Sequence, residues 1–301
     1  MKEVVLITGG SGLVAKELSK KLHSLYSVRF LTRHKKSENE FEWDVKKGTI
    51  DENALLGVNH IIHLAGANIS EKRWSSKQKK EIIFSRIESA KLLLNSLKKN
   101  NLKIDSFISA SAVGYYGTTT DEKIYDETDA KGDDFLSYVV HQWEQVADLF
   151  VQDNVAKRVV KLRTGVVLSE SGGALPKMIS PIKLYVGAIL GNGKQYLPWV
   201  HIQDICSMYE FAVKNQHLNG VFNACSPTGV TYKEFTKILA RVLRKPILTV
   251  YIPGFIIKLI FGESSVILLY GSRVSPNKIT KTGFVFKFTD LELALRDLLE
   301  K

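Results

Sequence analysis

A glycine-rich segment near the start of the chain lies between a run of apolar residues and a stretch with helical periodicity. The segment is Thr8-Gly9-Gly10-Ser11-Gly12-Leu13-Val14-Ala15, preceded by the apolar run Val4 to Ile7 and continued by the helical pattern Leu13 to Leu25. A second strand pattern follows at Val28 to Leu31. Strand, glycine turn, helix and strand in this order predict a βαβ unit at the start of a parallel sheet.

Strand and helix patterns continue to alternate through the first half of the chain. Further strands are predicted before Trp43 and at His60 to Leu64, Ser106 to Ser109 and Val159 to Leu162, with helices at Ser76 to Lys98 and Phe135 to Phe150. Strands separated by helices predict an α/β fold, in which a doubly wound parallel sheet is covered by helices on both faces.

The glycines of the first turn occupy the positions that a bound phosphate requires. Gly9 permits the tight turn, Gly12 lets the backbone approach a ligand without a side chain, and Ala15 keeps the helix close to the sheet. Free N–H groups and the positive end of the helix dipole then face the same point. We predict that this turn binds the pyrophosphate of a dinucleotide through Gly9, Ser11, Gly12, Leu13 and Val14.

The end of the second strand distinguishes the two nicotinamide dinucleotides. An acidic residue there would bind a ribose 2′-hydroxyl and repel a 2′-phosphate, but the sequence is Leu31-Thr32-Arg33-His34-Lys35-Lys36. Arg33 can pair with a phosphate through two parallel hydrogen bonds. We therefore predict NADP(H) rather than NAD(H), the alternative being that these cations only point into water. Further predicted cofactor contacts are Asp44, Ala65, Gly66 and Ser109.

The pattern changes after Arg163, where glycines and prolines become frequent. A short strand at Val221 to Ala224 and helices at Tyr232 to Leu243 and Leu291 to Leu299 predict a smaller α/β lobe that faces the substrate. We therefore predict a dinucleotide-binding domain at residues 1–165 and a substrate lobe at residues 166–301, with room for part of the chain to return to the sheet.

Composition limits the remaining classes of partner. The 42 basic and 31 acidic residues give a net charge of +11, which raises nucleic acid, anionic membranes and phosphorylated ligands as partners. The basic residues are scattered rather than collected in a long run, so we predict no nucleic-acid partner. Cys206 and Cys225 are not at a metal-ligand spacing, and no metal site is predicted.

The chain contains no apolar run of the about 18 residues that a membrane span requires. Its most apolar stretch, Val250 to Tyr270, is broken by Pro253, Lys258 and Gly262 to Glu263, so no membrane partner is predicted, although a contact of this stretch with a membrane surface stays open. The chain opens on a strand pattern rather than on a secretion signal, and its few cysteines suit a reducing compartment. These features predict a cytoplasmic location.

Several segments beyond the turn carry a resemblance to a known family. They are His63-Leu64-Ala65-Gly66-Ala67-Asn68, Glu71-Lys72-Arg73-Trp74, Ser85-Arg86-Ile87-Glu88, Ser109-Ala110-Ser111-Ala112-Val113-Gly114-Tyr115-Tyr116-Gly117, Leu162-Arg163-Thr164-Gly165-Val166-Val167-Leu168, Gly172-Gly173-Ala174-Leu175 and Trp199-Val200-His201-Ile202-Gln203-Asp204. Together with the turn, they make the chain resemble an extended short-chain dehydrogenase/reductase. More narrowly, it is similar to the atypical epimerase family, and the stretch from about Pro246 looks like the extra C-terminal module of that subgroup.

The resemblance implies a Rossmann sheet, with the cofactor in the Gly9 to Gly12 turn and the substrate between the carboxyl ends of the strands and the C-terminal lobe. It implies an NADP(H)-dependent oxidoreductase or epimerase-like enzyme that acts on a small hydroxylated or carbonyl substrate, nucleotide-sugar-like compounds included. Related enzymes often pair helices into dimers, which implies a homodimer by analogy.

Enzymes of this kind use a serine, a tyrosine and a lysine four residues after the tyrosine, and the lysine is missing here. In the helix after the fifth predicted strand, Tyr138 is followed at that spacing by Gln142, which carries no charge. A second function therefore stays open, that of a non-catalytic NADP(H)-binding sensor or regulatory protein.

The predicted catalytic residues are Ser111, Tyr116 and His141. Ser111 would donate a hydrogen bond to a substrate oxygen, or else cap a strand end. One of Tyr115 and Tyr116 would carry the proton, although an aromatic side chain at Tyr116 also suits packing. The imidazole of His141 suits proton transfer near neutral pH, or else is a solvated helix residue.

The predicted substrate contacts are Lys72, Arg73, Trp74, Arg163 and His201. Two cations beside an aromatic ring suit an anionic, planar or sugar-like ligand, and a solvated start of a helix explains the same residues. Arg163 ends a buried strand and therefore requires a partner. His201 would contact substrate or anchor a loop, and a structural histidine with satisfied hydrogen bonds is the alternative.

Overall fold

Strands and helices alternate along the computed structural model, which describes residues 2–300. The strands are β1 (Val4–Thr8), β2 (Ser27–Thr32), β3 (Glu40–Asp44), β4 (Thr49–Ile50), β5 (Val58–His63), β6 (Ile104–Ala112), β7 (Ile124–Tyr125), β8 (Ala156–Thr164), β9 (Val166–Leu168), β10 (Val186–Leu190), β11 (Trp199–His201), β12 (Gly220–Ala224), β13 (Leu248–Ile252) and β14 (Arg273–Val274). The α-helices are α1 (Leu13–Leu22), α2 (Ser76–Lys99), α3 (Phe135–Gln152), α4 (Leu175–Lys183), α5 (Ile202–Lys214), α6 (Tyr232–Val242), α7 (Gly254–Phe261), α8 (Val266–Leu269), α9 (Asn277–Lys281) and α10 (Leu291–Leu299).

One eight-stranded sheet forms the centre of the protein, with the strand order β12-β8-β6-β5-β1-β2-β3-β4. Its neighbouring strands are parallel except β3 and β4, which are antiparallel. The order reverses at β1, because β2 extends the sheet on one side and β5 on the other. Such a reversal opens a crevice beyond the carboxyl ends of β1 and β5. The predicted Rossmann-type α/β fold is confirmed.

Helices cover both faces of this sheet. The α1 and α5 helices pack together on one face, and α2 packs against α3 on the other. In α2, buried Ile87, Leu94 and Leu97 follow helical spacing and form the face that packs on the sheet. The Ser75 side chain accepts a hydrogen bond from the Gln78 N–H and so fixes where this helix begins.

Residues after 165 contribute to the sheet as well as to a lobe. The β12 strand pairs with β8 at the edge of the sheet, so the strand predicted at Val221 to Ala224 belongs to the sheet rather than to the lobe. One core cluster joins Ile7 and Leu162 of the sheet to Trp199 and Leu239 of later elements. The later residues also form the parallel pairs β10–β13 and β11–β9, and β14 pairs in parallel with β7 of the first part of the chain. The domain boundary at residue 165 stays a prediction.

Candidate functional site

The glycine turn joins the end of β1 to the start of α1 at the crevice. Gly9 has a φ of +72°, and a Cβ atom on it would lie 3.0 Å from the backbone of Leu64, so glycine is required there. Gly12 donates its N–H to the Gly9 carbonyl at 2.8 Å and is the N-cap residue that precedes the helix. No side chain described in the structure caps this end of α1, and its first turn carries no acidic residue. The N–H groups of this turn are therefore available to a pyrophosphate, which fits the cradle.

A chain of buried hydrogen bonds joins the ends of β1 and β5 to α2 beside this crevice. The Thr8 hydroxyl accepts the N–H groups of Leu64 and Ala65, both at 3.1 Å, and lies 2.9 Å from Nδ1 of His63. Nε2 of His63 lies 3.1 Å from the Ser89 hydroxyl, which itself donates to the Ser85 carbonyl. The network therefore assigns the proton of a neutral His63 to Nε2. Burial lowers the pKa of His63 to about 4, which keeps the ring neutral at physiological pH.

Acid is expected to weaken the fold through this histidine. The pKa of His63 falls from an ordinary value of 6.5 to about 4 in the folded protein, so the unfolded chain takes up the proton first as the pH drops. The stability that this group contributes is fully present at a pH above its ordinary pKa. It is lost as the pH falls from the ordinary pKa towards the pKa of the folded protein. Going from about pH 7 to pH 5 should cost about 2 kcal/mol of unfolding free energy. Urea unfolding at both pH values, with His63→Asn and the exposed control His217→Asn, measures this difference.

The His63→Asn variant should lose about 2 kcal/mol of the pH dependence, whatever its absolute stability, and the control should keep it. Equal pH dependence in the two variants would contradict the assignment. His201, whose pKa burial also lowers to about 4, supplies a separate part of the same acid sensitivity.

The end of β2 presents the predicted phosphate-binding cation to solvent. Arg33 is exposed, and the following loop folds back onto β3. Glu42 accepts the N–H of Lys35 at 3.1 Å, and Glu40 accepts the N–H of Lys36 at 2.7 Å. These bonds fix the backbone beside Arg33. Asp44, a predicted cofactor contact at the end of β3, uses one carboxylate oxygen for a turn and accepts two N–H groups at 2.9 and 3.1 Å.

A buried polar network lies beyond the carboxyl end of β6. Arg163 donates from Nε and Nη2 to the two carboxylate oxygens of Glu144, each at 2.8 Å, and Ser111 donates to Glu144 at 2.6 Å. Arg163 also donates from Nη1 to the Tyr116 hydroxyl at 3.1 Å, which donates to Asn223 at 2.7 Å. Although burial opposes the charge on Arg163, the bonds to Glu144 raise its pKa. Burial raises the pKa of Tyr116 well above its ordinary value.

The predicted catalytic residues occupy different environments around this network. The hydroxyls of Ser111 and Tyr116 are buried and already hydrogen-bonded to protein groups. Tyr115 is half-buried, its ring centroid is 3.3 Å from the guanidinium carbon of Arg163, and the ring of His141 is 6.5 Å away. The structure thus brings all three predicted residues together, but leaves Tyr115 as the more accessible tyrosine.

Arg86 had no predicted role, and its guanidinium group is desolvated although the residue as a whole is partly exposed. Its guanidinium carbon would lie 3.2 Å from a Cβ atom on Gly66, and it stands 5.1 Å from the centroid of the Trp143 ring. Nη1 donates to the Ile82 carbonyl at 3.1 Å. Burial lowers the pKa of Arg86 to about 10, with no carboxylate among residues 2–300 acting against this shift. An arginine inside the apolar stripe of a helix was the sequence signal for such a site.

The C-terminal stretch forms one wall beside the crevice. Val266 and Ile267 pack with Trp74 and Val139 in a hydrophobic cluster. Arg73 donates to the Leu259 carbonyl at 3.3 Å. A salt bridge between Lys79 and Glu263 joins the same two parts of the chain. These contacts attach α7 and α8 to the loop before α2.

The sequence and the fold of this chain are similar to those of known proteins. Residues 5–225 match the NAD dependent epimerase/dehydratase family, and residues 252–298 match a domain of unknown function, DUF1731. The chain belongs to the NAD dependent epimerase/dehydratase family. Epimerase family protein SAR0825 of Staphylococcus aureus is 35% identical over 302 residues, covering 98% of this chain and 99% of that protein.

Two solved structures of this kind have a similar fold. Human epimerase family protein SDR39U1 (isoform 2) with NADPH has a TM-score of 0.89 and 29% identity, covering 99% of each chain. The nucleoside-diphosphate sugar epimerase from Corynebacterium glutamicum has a TM-score of 0.81 and 28% identity, covering 99% of this chain and 58% of the other. The module from about Pro246 therefore corresponds to the DUF1731 match, as the resemblance implied.

Several predicted site residues of this family member are buried, with their polar groups hydrogen-bonded inside the protein. The Trp74 indole is buried and donates to the Ile69 carbonyl at 2.9 Å, while Lys72 is exposed. Ser109 is buried within β6 and donates to the carbonyl of the next residue at 2.8 Å. His201 is fully buried, and its Nδ1 accepts the Gln203 N–H at 3.1 Å at the start of α5. We therefore leave Trp74, Ser109 and His201 out of the proposed chemistry.

Proposed function

We propose that the protein is an NADP(H)-dependent oxidoreductase or epimerase-like enzyme that acts on a small hydroxylated or carbonyl compound. The observation that carries this proposal is the uncapped start of α1 at the point where the strand order reverses. The human relative solved with NADPH supports the choice of cofactor. Similarity to the nucleoside-diphosphate sugar epimerase supports a nucleotide-sugar-like substrate.

The proposed cofactor contacts come from three parts of the crevice. Gly9 to Val14 would hold the pyrophosphate, and Arg33 would pair with the 2′-phosphate. Ala65 and Gly66 would let the chain pass close to the cofactor. Arg86, whose desolvated guanidinium lies beside Gly66, would attract an anionic group of the cofactor or the substrate. Bound NADP(H) supplies or accepts the hydride.

We assign proton transfer to Tyr115. The hydroxyls of Tyr116 and Ser111 are held in the buried network, whereas Tyr115 is half-buried beside the crevice. The Arg163 guanidinium, 3.3 Å from the Tyr115 ring, supports this role, because a nearby positive charge favours the ionised form of a tyrosine as the missing lysine would. The ring of His141 lies 6.5 Å from the Tyr115 ring and could pass the proton onward.

Replacing Arg33 by aspartate should weaken NADPH binding about 10- to 100-fold, because a charge-assisted bidentate pair to the 2′-phosphate becomes a repulsion. NADH binding should change little, since NADH carries a hydroxyl at that position. Calorimetric titration of the full chain with each dinucleotide measures both effects. Arg244→Asp, the same charge change at an exposed arginine of the lobe, is the control.

Two results of this titration count against the proposal. Equal loss of NADPH affinity in both variants would assign the effect to overall charge rather than to Arg33. Failure of the unaltered protein to bind either dinucleotide would remove the enzyme function altogether. Single-turnover oxidation of NADPH against a panel of aldehydes and ketones then tests the reaction itself.

A non-catalytic NADP(H) sensor is the second candidate function. The specific observation in its favour is that Ser111 and Tyr116, two of the three predicted catalytic residues, have their hydroxyls bound to buried protein groups. A sensor should bind NADPH tightly, fail to oxidise it with any carbonyl compound and still change shape on binding.

A further inference from the structure

An unusually apolar surface lies on the C-terminal side of the protein, around β13 and α7. The side chains of this C-terminal apolar surface are exposed, and they are Leu184, Tyr185, Val186, Leu248, Val250, Tyr251, Phe255, Leu259, Ile260 and Phe261. Leu184, Leu248 and Leu259 are 74%, 73% and 76% exposed. Scattered surface leucines are ordinary, but a large collection of this kind marks a binding surface.

The elements of the C-terminal apolar surface are joined to one another. The β10 and β13 strands pair in parallel with Val186 opposite Leu248, which places the end of α4 beside the start of β13. Pro253 alone separates β13 from α7. Within α7, Phe255 and Leu259 are one turn apart and both exposed, whereas Ile257 between them is buried. The helix therefore directs one apolar face to solvent.

The two segments that carry this surface contain basic but no acidic residues, and Glu263, which follows α7, is paired with Lys79. Residues 171–203 and 235–262 contain no aspartate or glutamate, and their cations are Lys177, Lys183, Lys194, Lys237, Arg241, Arg244, Lys245 and Lys258. The two segments meet in space, since β10 packs against α4, α6 and β13. Arg241 and Arg244 form salt bridges with Glu292 and Glu300 of α10, so the positive charge nearest the apolar side chains comes from lysines. Lys245 donates to the Tyr185 hydroxyl at 3.1 Å.

We propose that the C-terminal apolar surface binds the face of an anionic phospholipid bilayer. Apolar side chains would enter the boundary between headgroups and acyl chains, while the surrounding lysines contact lipid phosphates. A second copy of the chain fits less well, because a twofold contact would bring the lysines of both copies together while the nearby Glu263 is already paired with Lys79. This proposal is independent of the proposed enzyme function.

Surface binding of this kind needs no spanning segment. None of the helices described between residues 2 and 300 is long and apolar enough to cross a bilayer. We predicted no membrane partner because the apolar stretch is interrupted. In the folded protein, however, much of that stretch is exposed beside lysines, as contact with a membrane surface requires. Leu259 belongs both to this surface and, through its carbonyl, to the contact with Arg73, so the bilayer would border the wall of the candidate site.

Sedimentation of the full chain with lipid vesicles tests the proposal. We expect binding to vesicles in which about a third of the phosphatidylcholine is replaced by phosphatidylglycerol, weakening as salt is raised. The double variant Phe255→Ser and Leu259→Ser should bind about 10- to 100-fold more weakly, since two exposed apolar side chains are lost. Leu293→Ser, at an exposed leucine of α10, should bind like the unaltered protein.

Three outcomes overturn the proposal. These are no sedimentation with anionic vesicles, equal sedimentation with pure phosphatidylcholine and its anionic mixture, or equal loss in Leu293→Ser. A dimer in size-exclusion chromatography that the double variant converts to a monomer would assign the surface to a second copy instead. An unchanged thermal midpoint and an unchanged circular dichroism spectrum in the double variant show that its fold is intact.

Discussion

Replacing Tyr115 by phenylalanine should slow NADPH oxidation about 10²- to 10⁴-fold, because the reaction loses the group that exchanges a proton with the substrate oxygen. The affinity for NADPH should stay within about twofold, since only the hydroxyl is removed and the ring over Arg163 remains. Single-turnover kinetics with saturating NADPH and the most reactive carbonyl compound of the panel separates the chemical step from binding.

Tyr116→Phe is the matched control for this prediction. It removes the same atom from the adjacent tyrosine, where the hydroxyl accepts from Arg163 and donates to Asn223. We expect it to lower the unfolding free energy by about 1–3 kcal/mol, because buried partners lose their hydrogen bonds, with a smaller effect on rate than Tyr115→Phe has. A rate loss confined to Tyr116→Phe would move the proton carrier to that residue. No oxidation by the unaltered protein, with tight NADPH binding, would favour the sensor.

Replacing Glu144 by glutamine should lower the unfolding free energy by about 3–5 kcal/mol. The variant keeps the shape of the side chain but removes the charge that Arg163 contacts at 2.8 Å through Nε and through Nη2. The side chains of Arg163 and Glu144 are only 3% and 8% exposed, so water cannot replace the lost partner. Urea unfolding followed by circular dichroism measures the loss.

Two further variants test the cause of this destabilisation. Glu52→Gln breaks the exposed pair with Lys99 and should cause no measurable loss. The double variant Glu144→Leu and Arg163→Met removes both buried charges and should recover much of the stability, because no isolated ion remains. If Glu144→Gln is as stable as the unaltered protein, the Arg163 charge is compensated by other groups and the network is not held by the ion pair.

Local sequence patterns predicted the parts of the fold that depend on neighbours along the chain. The strand before Thr8, the turn at Gly9 and the helix from Leu13 all lie where the pattern placed them. The reason is that the spacing of apolar residues over a few positions decides which side chains are buried in a strand or helix. The helix predicted at Ser76 to Lys98 agrees with α2 to within one residue for the same reason. The doubly wound parallel sheet followed from alternating strands and helices and from the family resemblance, whereas its strand order came from the structure.

Long-range contacts set the limit of that prediction. Nothing near Glu144 indicates that its carboxylate meets Arg163, since the contact depends on how α3 lies against β8. The burial of the Arg86 guanidinium likewise requires α2 and α3 to pack face to face. Strand β12 joins β8 at the edge of the sheet, which no periodicity in residues 220–224 specifies. The sequence therefore predicted the glycine turn of the site but not which residues pair in the buried network around Arg163.

The contact between Arg73 and the Leu259 carbonyl joins positions 186 residues apart. Closing so long a loop costs entropy before the contact forms, and such contacts slow the folding of a chain. During synthesis the strands up to β8 emerge well before α7, since a growing chain appears from its N-terminus. The residues of the glycine turn therefore leave the ribosome long before those of α7 and α8, and the wall beside the crevice can form only after these helices have been made.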